Sequence, residues 1–240
     1  MFSRLGGHRV VRVAVVVTLV LALGVAVRVA MTSGPEPYKG PPAIAVSGYE
    51  LVYAAAPGQA NDLTVTETSE ADWTTLHYDI DDVVPIEAGT GCRHPRVKDR
   101  TRVYCTVRIN DMETDPLVTL SLRLGDGDDT AVIHNRTSGN PLGYNEIYLG
   151  SGNDTWTGTG REARRVHGGN GDDTLTLKAS AEGDAYGDNG DDTLTVGAGG
   201  SGYGGNGNDT IHVNGSARNV DGGPGDDTVY GPGANTVQRG

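Results

Sequence analysis

Between residues 125 and 228 the chain repeats one string six times: Gly, a free position, Gly, then Asp or Asn, Asp, Thr. The copies are 125–130, 150–155, 169–174, 188–193, 205–210 and 223–228, and only the fourth replaces the first glycine, with Asp188. The Asp ahead of each Thr falls at 129, 154, 173, 192, 209 and 227, in steps of 25, 19, 19, 17 and 18. Glycine permits positive φ and close backbone approach, so each copy can make a tight turn with its carbonyls directed inward. The Asp adds an anionic oxygen at the end of that turn. Oxygen-only ligands, several of them backbone, suit Ca²⁺, which accepts about six to eight oxygens in flexible geometry.

Elements must hold such turns in line. Thr174-Leu175-Thr176 alternates polar, apolar, polar after its turn, the pattern of a short half-buried strand. Turn and strand recurring at a nearly fixed period predict a stacked solenoid. The segments between motifs (177–186, 196–203 and 213–221) lack the Gly-x-Asp turn. Single apolar residues, Val166, Tyr186, Tyr203 and Val220, precede the next turn. The spacing therefore predicts one motif per coil and a one-sided ladder of cation sites, with metal-free turns opposite.

The nonapeptide Gly168-Gly169-Asn170-Gly171-Asp172-Asp173-Thr174-Leu175-Thr176 resembles the RTX, or hemolysin-type calcium-binding, repeat, and the resemblance covers roughly residues 120–231. The copies starting at Gly168, Gly187, Gly204 and Gly222 match nearly completely. In the first two, Leu124 and Leu149 replace the leading Gly, and Ala131 and Trp156 sit where an aliphatic residue is usual. The resemblance implies an all-β, right-handed parallel β-roll or β-solenoid with Ca²⁺ between successive turns on one side. It nominates Asp129, Asp154, Asp173, Asp192, Asp209 and Asp227 as carboxylate ligands. Around them it places the turn residues Gly168, Asn170, Asp172, Gly187, Asn189, Asp191, Gly204, Asn206, Asn208, Gly222 and Asp226. About four or five ions would fit between six turns. Members of this family commonly leave the cell through a C-terminal signal, for which the stretch after residue 231 leaves little room.

Charge points the same way. Residues 125–240 hold 17 Asp and Glu against 7 Lys and Arg, a net of −10 with His neutral. Acidic turns stacked at the strand spacing of about 4.8 Å repel unless cations lie between them, so binding is expected to drive folding. A whole-chain net charge of −12 also argues against nucleic acid as a partner.

Arg4, Arg9 and Arg12 precede an uncharged apolar run over 13–27, interrupted by Arg28. The run is shorter than the roughly 20 residues a membrane span needs and reads as an export signal or N-terminal anchor over 1–33. A Pro/Gly linker over 34–42 follows. Export suits the metal, because calcium is abundant outside cells. It also suits Cys92 and Cys105, which are expected to form a disulfide; free thiols or half a zinc site with His94 are the alternatives.

Residues 43–122 carry short alternating runs separated by Gly, Pro, Asn and Asp, which predicts an all-β region ahead of the roll at 123–240. Residues 60–65 look like a degraded repeat, so this region either continues the solenoid without metal or forms a separate cap. The even spacing of Arg96, Lys98, Arg100 and Arg102, beside Arg93, predicts four cations on one strand face. Asp81, Asp82 and Glu87 read as exposed turn acids before they read as a carboxylate pair. Neither His-Glu-x-x-His nor Gly-x-Ser-x-Gly occurs, and the six His are scattered. Four Asn-x-Ser/Thr strings begin at Asn135, Asn153, Asn208 and Asn214, two of them inside the turn motif itself. The sequence thus points to an exported, non-catalytic calcium-binding protein with a structural or adhesive role. A secreted hydrolase seated in 43–124, or a host-interaction or toxin-like factor, is the alternative.

Overall fold

Alternation of apolar and polar residues over four to ten positions, punctuated by glycine, makes strands, and the computed structural model is built from them. It describes residues 43–71, 74–109, 117–137, 143–158, 163–178 and 183–232, none of them helical. The expected export segment and linker lie outside these residues.

The strands are β1 (Ala43–Ser47), β2 (Leu51–Ala54), β3 (Asp62–Ser69), β4 (Thr75–Asp81), β5 (Ile86–Ala88), β6 (Cys92–Arg93), β7 (Arg102–Arg108), β8 (Leu117–Asp126), β9 (Thr130–Asn135) and β10 (Gly143–Ser151). They continue as β11 (Thr155–Gly158), β12 (Ala163–Asn170), β13 (Thr174–Leu177), β14 (Asp184–Asn189), β15 (Thr193–Val196), β16 (Ser201–Asn206), β17 (Thr210–Val213), β18 (Asn219–Asp221) and β19 (Thr228–Tyr230).

From β8 onward the chain alternates between two sheets. The even-numbered strands stack in the order β18-β16-β14-β12-β10-β8, and the odd-numbered ones in the order β19-β17-β15-β13-β11-β9. All of these neighbours are parallel. A strand of each sheet plus the Gly-Asp turn joining them makes one coil. The fold is all-β, with two long, mostly parallel sheets compatible with a solenoid.

The core lies between the sheets. Leu122, Leu124, Ile147, Leu149 and Val166 enter from the first, and Ile133, Trp156, Leu175, Leu194 and Ile211 from the second, all essentially without exposure. Each such side chain contributes about 1.5–3 kcal/mol on burial. Inward positions of the first sheet then shrink, through Ala185 to Gly202, which pair in register. Trp156 is accommodated because its register neighbour one coil earlier is Ala131.

Register moves two of the apolar residues ahead of the turns to the outer surface. Val166 pairs with Ala185, which sets Tyr186 beside His167 and Tyr203 beside Tyr186. Their rings stack along the outside of the sheet with Tyr148: centroids are 5.3 Å apart for Tyr148–His167, 4.6 Å for His167–Tyr186 and 4.9 Å for Tyr186–Tyr203. Stacked pairs of this kind add about 0.5–1.5 kcal/mol each.

Ahead of the repeats both sequence readings hold in part. β2 runs parallel to β8 and β3 parallel to β9, so residues 51–69 form one more coil. Asp62 pairs with Thr130, which puts Asn61 where the repeats carry Asp. Beyond that coil, β4, β7 and β6 extend the second sheet with antiparallel strands, and β1 and β5 extend the first. A disulfide joins Cys92 to Cys105 across β6 and β7.

The basic cluster does not form a strand face. Residues 94–101 are bends and turns, with Arg93, Arg96, Lys98 and Arg100 exposed at different points. Arg102, the one of the evenly spaced four on a strand, is paired with Asp79 through Nε at 2.7 Å. The Cys92–Cys105 bridge draws the two strands together and leaves the intervening residues to loop out.

Candidate metal centre

Each of the first five repeat turns leaves the first sheet at the third residue of the nonapeptide, the sixth leaves it at Asp221, and all six enter the second sheet at the Thr. In the third copy β12 ends at Asn170 and β13 starts at Thr174, with Gly171, Asp172 and Asp173 between them. Gly171 has φ 121°, and a Cβ there would come within 2.7 Å of the carbonyl carbon of Gly152 in the preceding coil. Only glycine satisfies both the dihedral and the stacking.

Two hydrogen-bond ladders run along the turns in opposite directions. On the outer one, the N–H of each fifth residue donates to the side chain one coil earlier: Asp172 to Asn153 at 2.9 Å, Asp191 to Asp172 at 2.9 Å, Asn208 to Asp191 at 2.7 Å and Asp226 to Asn208 at 2.9 Å. On the inner one, the N–H of each sixth residue donates to Oδ1 of the Asp one coil later. The rungs are Asp129 to Asp154 at 2.7 Å, Asp154 to Asp173, Asp173 to Asp192 and Asp192 to Asp209 at 2.8 Å, and Asp209 to Asp227 at 3.0 Å. The N–H of Asn61 donates to Asp129 at 2.6 Å and begins this ladder.

The two ladders differ in what they demand. The outer positions are exposed and are filled by Asp in four copies and Asn in two, so an acceptor oxygen is enough there. The inner position is Asp in all six repeats, and the second oxygen, Oδ2, of all six is buried without a hydrogen-bond partner. A buried carboxylate oxygen left unpaired is costly, so it calls for a proton or a cation.

What faces that oxygen is the column of first motif residues. A Cβ built on Gly168 would lie 2.9 Å from Cγ of Asp173 and 2.8 Å from the carbonyl oxygen of Gly187. At Gly187, Gly204 and Gly222 the corresponding distances to Cγ of Asp192, Asp209 and Asp227 are 2.7, 2.6 and 2.5 Å. Behind Gly187 and Gly204 stand the carbonyl oxygens of Gly204 and Gly222. Bare glycine thus lets a carboxylate oxygen pack against the backbone at all four positions, with the next coil's carbonyl beside it at the first three.

Burial pushes the carboxyls up: Asp129 to about 8, Asp154 to about 6, and Asp173 and Asp192 to about 7. The ladder hydrogen bond opposes this in each case, and neighbouring carboxylates add to it. Asp209 is raised for the same leading reason.

The nominated residues therefore divide into three sets. The six Asp and the glycines 168, 187, 204 and 222 converge inside the turns. Asn170, Asn189 and Asn206 form an exposed side-chain ladder instead, with Asn189 donating to Asn170 at 3.1 Å and Asn206 to Asn189 at 2.8 Å. Asp172, Asp191, Asn208 and Asp226 belong to the outer ladder. Among the described residues no three His, Cys, Asp or Glu side chains cluster as a metal site would require. A cation here would draw mainly on backbone oxygen.

Asp82 corrects the reading of 81, 82 and 87 as exposed turn acids, since it is buried. It accepts hydrogen bonds from the Tyr53 hydroxyl, from Nδ2 of Asn61 at 2.7 Å and from the N–H of Asp62 at 3.0 Å. This network fastens the non-repeat coil to the first rung at Asp129. The only signal for it in the sequence is the Asn-Asp pair at 61–62 in the degraded repeat.

No family model, curated protein or solved structure matches the chain.

Proposed function

We propose that this is an exported calcium-binding protein whose Gly-Asp turns hold Ca²⁺ on one edge of a right-handed parallel β-roll, and that it folds on binding the ion. One observation carries the reading: the inner carboxylate of every repeat keeps a buried oxygen unpartnered, where an Asn would serve the hydrogen-bond ladder equally well. The carboxylates of the turns, with backbone oxygens such as those of Gly187, Gly204 and Gly222, would hold the ion. Bound there, Ca²⁺ supplies positive charge between stacked acidic turns and cross-links each coil to the next. The described opposite turns at 197–200 and 214–218 carry no acidic residue, which supports a one-sided ladder.

The product of such a device is a rod that is stiff where calcium is plentiful and loose where it is scarce. This suits a structural or adhesive role outside the cell. Calorimetric titration of the full chain tests the reading. Ca²⁺ should bind with a stoichiometry above one, and Mg²⁺, which demands a tight octahedron and gives up water reluctantly, should not replace it. Absence of calcium binding at millimolar ion rejects it.

A further inference from the structure

The inward column just ahead of the turns is not uniform. Register aligns Leu124 with Leu149, Leu149 with Gly168, and then Gly168, Gly187, Gly204 and Gly222 in succession. Both leucines are fully buried. At the four glycines a Cβ would collide with the carboxylate of the same turn, at 2.5–2.9 Å from Cγ. A side chain at this position and a carboxylate oxygen packed against the backbone are therefore alternatives, and the first two repeats carry the side chain.

Resting on the calcium reading above, we infer that Leu124 and Leu149 close the first two turns to the ion, so that the roll divides into two metal-free repeats followed by a calcium-binding section. Oδ1 of Asp129 and of Asp154 accepts the N–H of Asn61 and of Asp129 in those first coils, and their Oδ2 is buried and unpartnered as in the later ones, so the leucine and not the carboxylate separates the two sections. Three turns of the second section bring a carbonyl of the following coil to the same place: Asp173 with Gly187, Asp192 with Gly204, and Asp209 with Gly222. The turn at Asp227 has no such carbonyl among the nearest atoms. The ion count falls accordingly from the four or five that motif counting suggests to three tightly held.

The division is also visible in packing. The two leucine-bearing coils bury large inward side chains, Leu122, Ile147 and Trp156 beside the leucines. The later coils replace those inward residues with Ala185, Gly202 and glycine, and so depend more heavily on what binds in the turns.

The test is the number of ions retained by the full chain and its Asp→Asn variants, read by native mass spectrometry and by metal analysis after dialysis against micromolar Ca²⁺. Three ions are expected for the unaltered chain, an unchanged number for D129N and D154N, and at least one fewer for D192N. L149G is expected to gain one. A drop in D129N or D154N matching that in D192N overturns the division while leaving calcium binding intact, as do five ions in the unaltered chain. No retained or titratable calcium in any form overturns both.

Discussion

Oδ1 of Asp192 accepts the backbone N–H of Asp173 from 2.8 Å, while Oδ2 of the same carboxylate, equally buried, faces Gly187 with no partner. One oxygen fixes the register of two coils and the other is left to a proton or a cation. On the calcium reading proposed above, competition between those two occupants would link the stability of the stack to both pH and calcium.

The metal-free protein should lose stability as pH rises. Asp173 and Asp192 are pushed up by burial to about 7, against an ordinary carboxylate value of about 4 in the unfolded chain. Between about pH 4 and pH 7 the native state then holds protons that the unfolded state has released, and stability falls with pH across that window. In EDTA the strand content by circular dichroism should be higher at pH 5 than at pH 8. With saturating Ca²⁺, which replaces the proton, the decline should disappear. A strand content in EDTA that climbs from pH 5 to pH 8 would count against the assignment of these oxygens.

Asp188 should be improvable. It is the one non-glycine among the described residues with positive φ, at 74°, where the other repeats have glycine. Left-handed backbone costs such a residue about 1 kcal/mol. Its half-exposed bond to Nδ1 of His167, at 3.0 Å, returns only part of that. D188G is expected to gain about 0.5 kcal/mol in urea unfolding, and D188A, which keeps the strain and loses the bond, to be less stable than the natural chain.

Gly171 should tolerate nothing larger. Its missing Cβ would meet the Gly152 carbonyl carbon at 2.7 Å, and backbone cannot step aside. G171A is expected to lose about 2–3 kcal/mol in the same measurement. Gly48, which has ordinary φ and open space around it, provides the control: G48A should change stability by less than about 0.5 kcal/mol.

The disulfide should matter to the cap and not to the turns. It closes a loop with a sequence separation of 13, for which chain entropy suggests about 3 kcal/mol. A C92A/C105A chain should unfold at lower denaturant, by about 2–3 kcal/mol, and still take up the same number of calcium ions.

The all-β stack of two mostly parallel sheets was legible because its signal is local. Gly-x-Gly-x-Asp dictates a turn, the Thr-apolar-Thr that follows dictates a strand, and the period joins them without any long-range information. Inside that pattern, depth was not legible. The fifth and sixth motif residues are both acidic in several copies, yet the stacking direction exposes Asp172 and buries Asp173. Tyr186 and Tyr203 resemble core residues until register sets them on the outside of a sheet beside His167. Asp82 looks like one more loop acid because its partners, Tyr53 and Asn61, come from another strand and another turn. The basic residues at 96–102 have strand spacing, but residues 94–101 loop out between bridged strands.

Far-ultraviolet circular dichroism of the full chain at pH 7.5, first in EDTA and then in millimolar Ca²⁺, tests calcium-driven folding most directly. The expected result is a largely unfolded spectrum in EDTA that gains strand signal cooperatively as calcium is added and loses it again on chelation. The same strand content in both conditions would contradict a stack held together by cations in its turns.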